Sequence, residues 1–293
     1  MSSITFCDPN AIVTTDWLEE HLEDPNLRVF DCSTQLVFEE GSGRPYRVVS
    51  GQEDHQESHV PGAGCLDLQK DFSQPDSPYA MTLASPEHVA AAFARNGIGD
   101  DTRVVLYSRR SLSWSTRFWW MLKWLGFDNA AILDGGFEKW QSEGRSLSGE
   151  PCDYPINTLS VSLRPSLFVD KGVVLNAIDD PGTCTISALG ADLHSGENSR
   201  YGRPGRIPGS LNIAQISLVE PDTMVLLSSG EVFDRFASIR AKSAKRYITY
   251  CGGGIFATLD AFMLYQLGYD NVSVYDNSMS EWGPDKALPI ETD

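Results

Sequence analysis

The 293-residue sequence is poor in positive charge, in long apolar runs and in paired cysteines. Lysine and arginine number 23 against 40 aspartates and glutamates, a formal net charge of −17. A nucleic-acid binder needs clustered cations to neutralise phosphates, and an anionic membrane surface repels an acidic chain. Neither partner is expected. No stretch approaches the ~18 consecutive apolar residues that span a bilayer, and the opening MSSITFCDPN has the pattern of neither an export nor an organelle signal. The six cysteines (Cys7, Cys32, Cys65, Cys152, Cys184 and Cys251) are scattered, with no Cys-x-x-Cys pair or Cys/His cluster. No metal site is therefore expected. Free thiols suit a reducing compartment, so the expected location is cytoplasmic. What is present, 41% hydrophobic and 22% charged residues, fits a globular protein of two domains at this length.

The chain repeats itself. Leu125-Gly126-Phe127-Asp128-Asn129 matches Leu267-Gly268-Tyr269-Asp270-Asn271, Asp134 matches Asp276, and Trp140 matches Trp282. Upstream, His59-Val60-Pro61-Gly62-Ala63 matches Arg206-Ile207-Pro208-Gly209-Ser210. A tandem duplication of one unit accounts for this. Residues 104–107 and 247–250 are short, β-branched and apolar, as buried parallel strands are. Each precedes a loop and a helical pattern. Ile255, Leu259, Phe262, Met263 and Leu267 recur at helical spacing, with Gly268 at the C-cap position. Further short strands (132–133 and 272–275) and helices carrying Trp140 and Trp282 come next. Strand–helix–strand units predict an α/β fold with a mainly parallel sheet flanked by helices in each unit. The Pro/Gly-rich, aperiodic stretch 148–165 reads as a linker, dividing the chain into 1–147 and 166–293. Trp114, Phe118, Met121, Leu122 and Leu125 share one helical face and are expected in the core. Trp119, Trp120 and Trp124 lie partly off that face, and some of them are expected where the two units meet.

The two equivalent strands run into different loops. After Tyr250 comes Cys251-Gly252-Gly253-Gly254-Ile255-Phe256-Ala257; after Tyr107 comes Ser108-Arg109-Arg110-Ser111. The C-terminal end of a parallel strand is where open α/β sheets place ligands. Three glycines permit unusual φ/ψ and close approach. The loop enters a helix N-terminus, whose free N–H groups and dipole favour negative charge. A thiolate there is expected to have a pKa below its ordinary value of about 8.5. The glycine run lacks both G-x-G-x-x-G spacing and a Lys-Ser/Thr ending, so a nucleotide site is not indicated.

On these residues the sequence resembles the tandem-domain rhodanese sulfurtransferases, a family that includes thiosulfate and 3-mercaptopyruvate sulfurtransferases. Thr15-Asp16-Trp17-Leu18, Leu133-Asp134-Gly135-Gly136 and the closing segment from Tyr275 to Gly283 extend the likeness over nearly the whole chain. The resemblance implies two rhodanese-like domains, the first degenerate with Ser108 at the catalytic position and the second catalytic through Cys251. It implies transfer of a sulfane sulfur from a small sulfur-containing donor to Cys251, which becomes a persulfide. A thiol, cyanide or a thioredoxin-like protein then accepts the sulfur. Backbone N–H groups of Gly252, Gly253, Gly254, Ile255, Phe256 and Ala257 would hold the sulfur's charge, with no cofactor and no metal.

Some positions depart from that pattern. Thiosulfate enzymes of the family have basic residues in the loop where this chain has Gly252, Gly253 and Gly254. Ile186-Ser187-Ala188-Leu189 stands where an Asp-x-Arg is usual, so that arginine is missing. Phe256 and Leu189 make the expected pocket apolar. An anionic donor would still require a cation, and the expected sources are Arg200, Arg203 and Arg206, with His194 just before them. Arg109 and Arg110 are assigned to the structure of the first unit or to the interface between the units, and Asp276 and Trp282, which recur in both units, to the fold. His21, His55 and His88 are assigned no role. Related folds that hydrolyse phosphoesters use Cys-x5-Arg, and here Ala257 takes the arginine's place. The alternatives are a repurposed fold, either a binding or redox module without catalysis or an enzyme using the Cys251 thiolate on another electrophile.

Overall fold

The computed structural model describes residues 4–38, 45–240 and 244–293. Among the described residues twelve strands run in chain order: β1 (Ile12–Val13), β2 (Leu27–Asp31), β3 (Thr34–Val37), β4 (Arg47–Ser50), β5 (Ala63–Cys65), β6 (Arg103–Tyr107), β7 (Ala130–Leu133), β8 (Phe168–Val169), β9 (Thr183–Ser187), β10 (Leu211–Asn212), β11 (Arg246–Tyr250) and β12 (Val272–Tyr275). They form two five-stranded sheets, ordered β1-β7-β6-β2-β5 and β10-β9-β11-β12-β8. Every pairing within them is parallel. Reading the second sheet backwards gives the first, strand for strand, so the duplication in the sequence is a duplication of the fold.

The central strands explain the apolar runs. β6, β11, β7 and β12 are buried along almost their whole length because helices cover both faces. β3 and β4 stand apart as an antiparallel pair. The segment 149–164 carries neither helix nor strand, yet it is tied to the first unit. The Tyr154 hydroxyl donates to the Gly62 carbonyl at 2.6 Å and accepts from the Val29 N–H at 3.0 Å.

The helices Ser113–Trp124 and Ala257–Gln266, each following one of the central strands, pack against each other and join the units. All of Ser113–Trp124 except Lys123 is buried, which is why it is apolar on more than one face. Trp119 meets the Phe262 ring edge-on with centroids 4.8 Å apart. The Trp120 indole N–H donates to the Leu167 carbonyl at 2.9 Å, and Trp124 packs edge-on against Phe168. These three tryptophans sit where the units meet, as their position off the core face suggested. A buried hydroxyl pair, Thr116 and Thr258 at 2.8 Å, crosses the same junction. Among the described residues no helix is long and apolar enough to cross a membrane, and no group of three or more His, Cys, Asp or Glu is placed to hold a metal.

Candidate active site

Cys251 follows the last residue of β11, at the carboxyl end of the central strand of its sheet. The next five residues curl back over its side chain before the helix Ala257–Gln266 begins. Three contacts shape the curl. The Cys251 N–H donates to Ser278 Oγ at 3.0 Å, and its carbonyl accepts from the Met279 N–H at 3.1 Å. The Gly252 carbonyl accepts from the Ser280 N–H at 2.7 Å. Gly254 has φ +76°, and a Cβ there would lie 2.0 Å from the Asp276 carbonyl oxygen, so only glycine fits.

The curl directs main-chain donors at the sulfur. N–H groups of Ala257, Gly253, Gly254 and Ile255 act on the Cys251 thiol and favour its ionised form. Burial opposes them and is the larger effect, so the thiol titrates above its ordinary value. The expectation of a depressed pKa is thereby corrected. Cys251 is 1% exposed, and no cation contributes among the main influences on it. Amides alone do not outweigh the loss of water around the sulfur.

The first unit closes the site. Leu36, Tyr46 and Met81 from that unit, with Tyr201, Ile255 and Phe256 from the second, line a chamber over Cys251 of about 10 Å³. That is room for about one atom of water or sulfur size. Tyr46 also lines a cleft of about 600 Å³ between Pro45, Gln69, Pro75 and Tyr79 of the first unit and Ser280 and Pro284 of the second. Two phenols press on the loop glycines. A Cβ at Gly252 would lie 2.0 Å from the Tyr201 hydroxyl, and one at Gly253 would lie 2.3 Å from the Tyr46 hydroxyl. Neither tyrosine stood out in the sequence. The signal available was indirect: two side-chain-free positions in a buried loop need something else to fill the space.

The expected cations lie elsewhere. Arg203 spends its guanidinium on four carbonyls, donating to Gly283 at 2.7 Å, Asp285 at 2.7 Å, Leu288 at 3.0 Å and Trp282 at 3.2 Å. Arg206 pairs with Glu291 at 2.5 Å and Asp293 at 2.6 Å. Both arginines hold the C-terminal segment, which corrects their assignment to a substrate. Burial and the Arg206 charge lower the His194 pKa to about 4, so that imidazole is neutral at pH 7 and offers no cation. Leu189 is buried two residues beyond β9, outside the chamber lining, with its carbonyl accepting from Asn212 at 2.8 Å. Arg200 is exposed, stacks over the Phe38 ring at 4.1 Å and reaches the Tyr201 hydroxyl. Through Tyr201 it borders the chamber lining.

In the first unit the equivalent position is self-filled. Ser108 Oγ donates to the Ser111 carbonyl at 2.7 Å. Arg109 folds inward over the Phe137 ring at 3.5 Å, lies 3.6 Å from the buried Asp31 carboxylate and donates to the Ser58 carbonyl. Asp276, repeated from Asp134, accepts from Arg117 at 2.5 Å and from the Leu83 N–H at 2.7 Å, both in the first unit.

Comparison with known proteins decides the family. The rhodanese-like domain model matches residues 14–143 and 192–285. The chain belongs to the rhodanese-like family. This rhodanese-like protein is 30% identical over 282 residues to the 3-mercaptopyruvate sulfurtransferase of Escherichia coli strain K12, covering 95% of this chain and 97% of that one. It is 29% identical over 298 residues to the sulfur carrier protein TtuD of Thermus thermophilus, covering 97% and 98%. The crystal structure of SseA from Escherichia coli, described as a 3-mercaptopyruvate sulfotransferase, matches with a TM-score of 0.74 and 26% identity over 92% of this chain and 98% of that one. The rhodanese fold expected of both units is thus confirmed.

Proposed function

We propose that this rhodanese-like protein is a sulfurtransferase that moves a sulfane sulfur from a small donor, of the thiosulfate or 3-mercaptopyruvate class, to a thiophilic acceptor through a Cys251 persulfide. One observation carries the reading: a lone thiol at a strand end, faced by four main-chain N–H groups, with space for about one further atom. In the first step the Cys251 thiolate attacks the donor's outer sulfur, the donor's bond to that sulfur breaks, and its electron pair leaves with the donor residue. The N–H groups of Gly253, Gly254, Ile255 and Ala257 are fixed dipoles aimed at the sulfur, so they need not reorganise as charge develops. In the second step an acceptor (a thiol, cyanide or a thioredoxin-like protein) attacks the outer sulfur and releases the Cys251 thiolate.

Residues 166–293 form the catalytic unit in this reading, 1–147 supply one wall of the site, and 148–165 link them. A cytoplasmic setting, with its reducing thiol pool, would keep Cys251 reduced between turnovers. The relatives' names support the activity, 3-mercaptopyruvate sulfurtransferase in one case and sulfur carrier in the other.

The test is intact mass after incubation with thiosulfate and, separately, with 3-mercaptopyruvate. The reading expects a gain of one sulfur atom that cyanide removes and that Cys251→Ser abolishes. A gain that persists in Cys251→Ser would place the sulfur elsewhere and overturn it.

A further inference from the structure

The chamber over Cys251 has no charged side chain among the described residues that line it. Among the described residues its side-chain hydrogen-bond donors are the Tyr46 and Tyr201 hydroxyls. Their placement and the loop sequence are one fact. Side chains at 252 and 253 would overlap the two phenol oxygens, at 2.0 and 2.3 Å, so a loop with basic residues there and these tyrosines exclude one another. The two rings meet edge-on with centroids 6.5 Å apart, one from each unit. Both hydroxyls feel the charge of Cys251. Burial keeps both protonated, pushing Tyr46 up to about 12 and Tyr201 higher still. Arg200 approaches the Tyr201 oxygen from outside, which engages that oxygen as an acceptor and leaves its proton for the chamber. Beside Tyr46 stands the buried Ser280 Oγ, which bears on the Tyr46 phenol, on the side of the cleft that Tyr46 and Ser280 both line.

The transferred sulfur fills this chamber, so a donor must leave its anion at the rim, beside the two hydroxyls. Thiosulfate brings two charges and expels sulfite, whose desolvation would have to be offset by a cation. A phenol can stabilise a single developing thiolate by donating one charge-assisted hydrogen bond. We propose that Tyr46 and Tyr201 are the catalytic hydrogen-bond donors standing in place of a cation, and that the donor they select is an organic persulfide, R–S–S–H, entering past Tyr46 in preference to thiosulfate.

This rests on the persulfide reading of Cys251 and names its substrate. The Cys251 thiolate bonds to the outer sulfur, the S–S bond of the donor breaks, and the pair departs on R–S⁻, held by the two hydroxyls. The outer sulfur keeps its proton and its oxidation level, and R–S⁻ takes a proton from water on leaving. Thiol and persulfide have exchanged partners, with no other reactant.

The experiment measures sulfur loading of the full chain by intact mass, with the persulfide of N-acetylcysteamine (an uncharged thiol) and with thiosulfate. Cys251→Ser gives the background. The persulfide should load wild type at least about 100-fold faster than thiosulfate does, and Tyr46→Phe and Tyr201→Phe should each slow persulfide loading about tenfold. Thiosulfate loading as fast as the persulfide, or both phenylalanine variants loading at the wild-type rate, would overturn the inference and leave Cys251 transfer standing. Cys251→Ser loading as well as wild type would overturn the transfer reading and the inference together.

Discussion

The Arg117 guanidinium donates to the Gly254 carbonyl at 3.3 Å, a bond from the degenerate unit to the reactive loop of the other. The same group donates to Asp276 at 2.5 Å and to the Met81 carbonyl at 3.2 Å, and its residue is fully buried. A trans peptide points its N–H opposite its C=O. Anchoring the Gly254 carbonyl outward therefore turns the Ile255 N–H inward, where it acts on Cys251. The first unit thus serves the second by fixing a dipole, besides forming a wall.

Replacing Arg117 with methionine should release that peptide. Persulfide formation on Cys251 should fall about tenfold or more, the range expected for losing a hydrogen bond to a charged group. Arg117→Lys, which keeps one donor, should recover part of the loss. The informative readout is the pH profile of Cys251 alkylation, whose midpoint should move up in Arg117→Met as one N–H is lost. An unmoved midpoint with lowered stability would make Arg117 merely structural.

Cys251 itself should show a high-pH profile. Its thiol is held neutral by burial more strongly than the surrounding N–H groups favour the thiolate. Below its pKa the thiolate fraction grows about tenfold per pH unit, so alkylation by iodoacetamide should keep rising through pH 8 and level only above about 9. The measurement belongs in a Cys7→Ser background, because Cys7 is exposed and would react first. A plateau below pH 8 would mean that the amides outweigh burial.

Much of this was legible in the residues. The paired Leu-Gly-aromatic-Asp-Asn segments and the apolar strand cores reported the duplication, because parallel strands covered on both faces must be apolar throughout. Cys251 was marked by its strand end and its glycines. The cations were not legible. Arg203 and Arg206 lie in the same unit as Cys251, but whether a guanidinium faces a ligand or a carbonyl depends on the chain end, which folds back to place Glu291 and Asp293 beside Arg206. Tyr46, Met81 and Arg117 were hidden for a related reason. They lie more than a hundred residues from Cys251 and reach it only because the two sheets face one junction.

Arg203→Ala should leave the KM for an anionic donor unchanged, since the guanidinium is committed to four carbonyls of the segment 282–288. It should instead destabilise the fold by roughly 1.5–3 kcal/mol through carbonyls left without their charged donor. Thermal unfolding and donor kinetics on the same variant separate the two effects. A raised KM at unchanged melting temperature would return Arg203 to the site.

Asp260 lies in the helix Ala257–Gln266, fully buried against the junction, with neither carboxylate oxygen hydrogen-bonded. Burial alone drives its pKa far above the usual carboxylate range, so the folded protein keeps that proton to a higher pH than the unfolded chain does. The unfolded chain releases that proton near its ordinary pKa of about 3.9. Above that pH the folded state binds one more proton than the unfolded state. Its stability therefore falls with rising pH, by at most about 1.4 kcal/mol per unit, until the folded pKa is passed. Asp260→Asn has nearly the same shape and no proton to lose, so its stability should not carry this slope. Denaturant titrations at pH 5, 6, 7 and 8 should show the variant gaining on wild type at each step. Parallel curves across that range would mean that Asp260 is ionised in the fold, with a partner supplying what burial takes away.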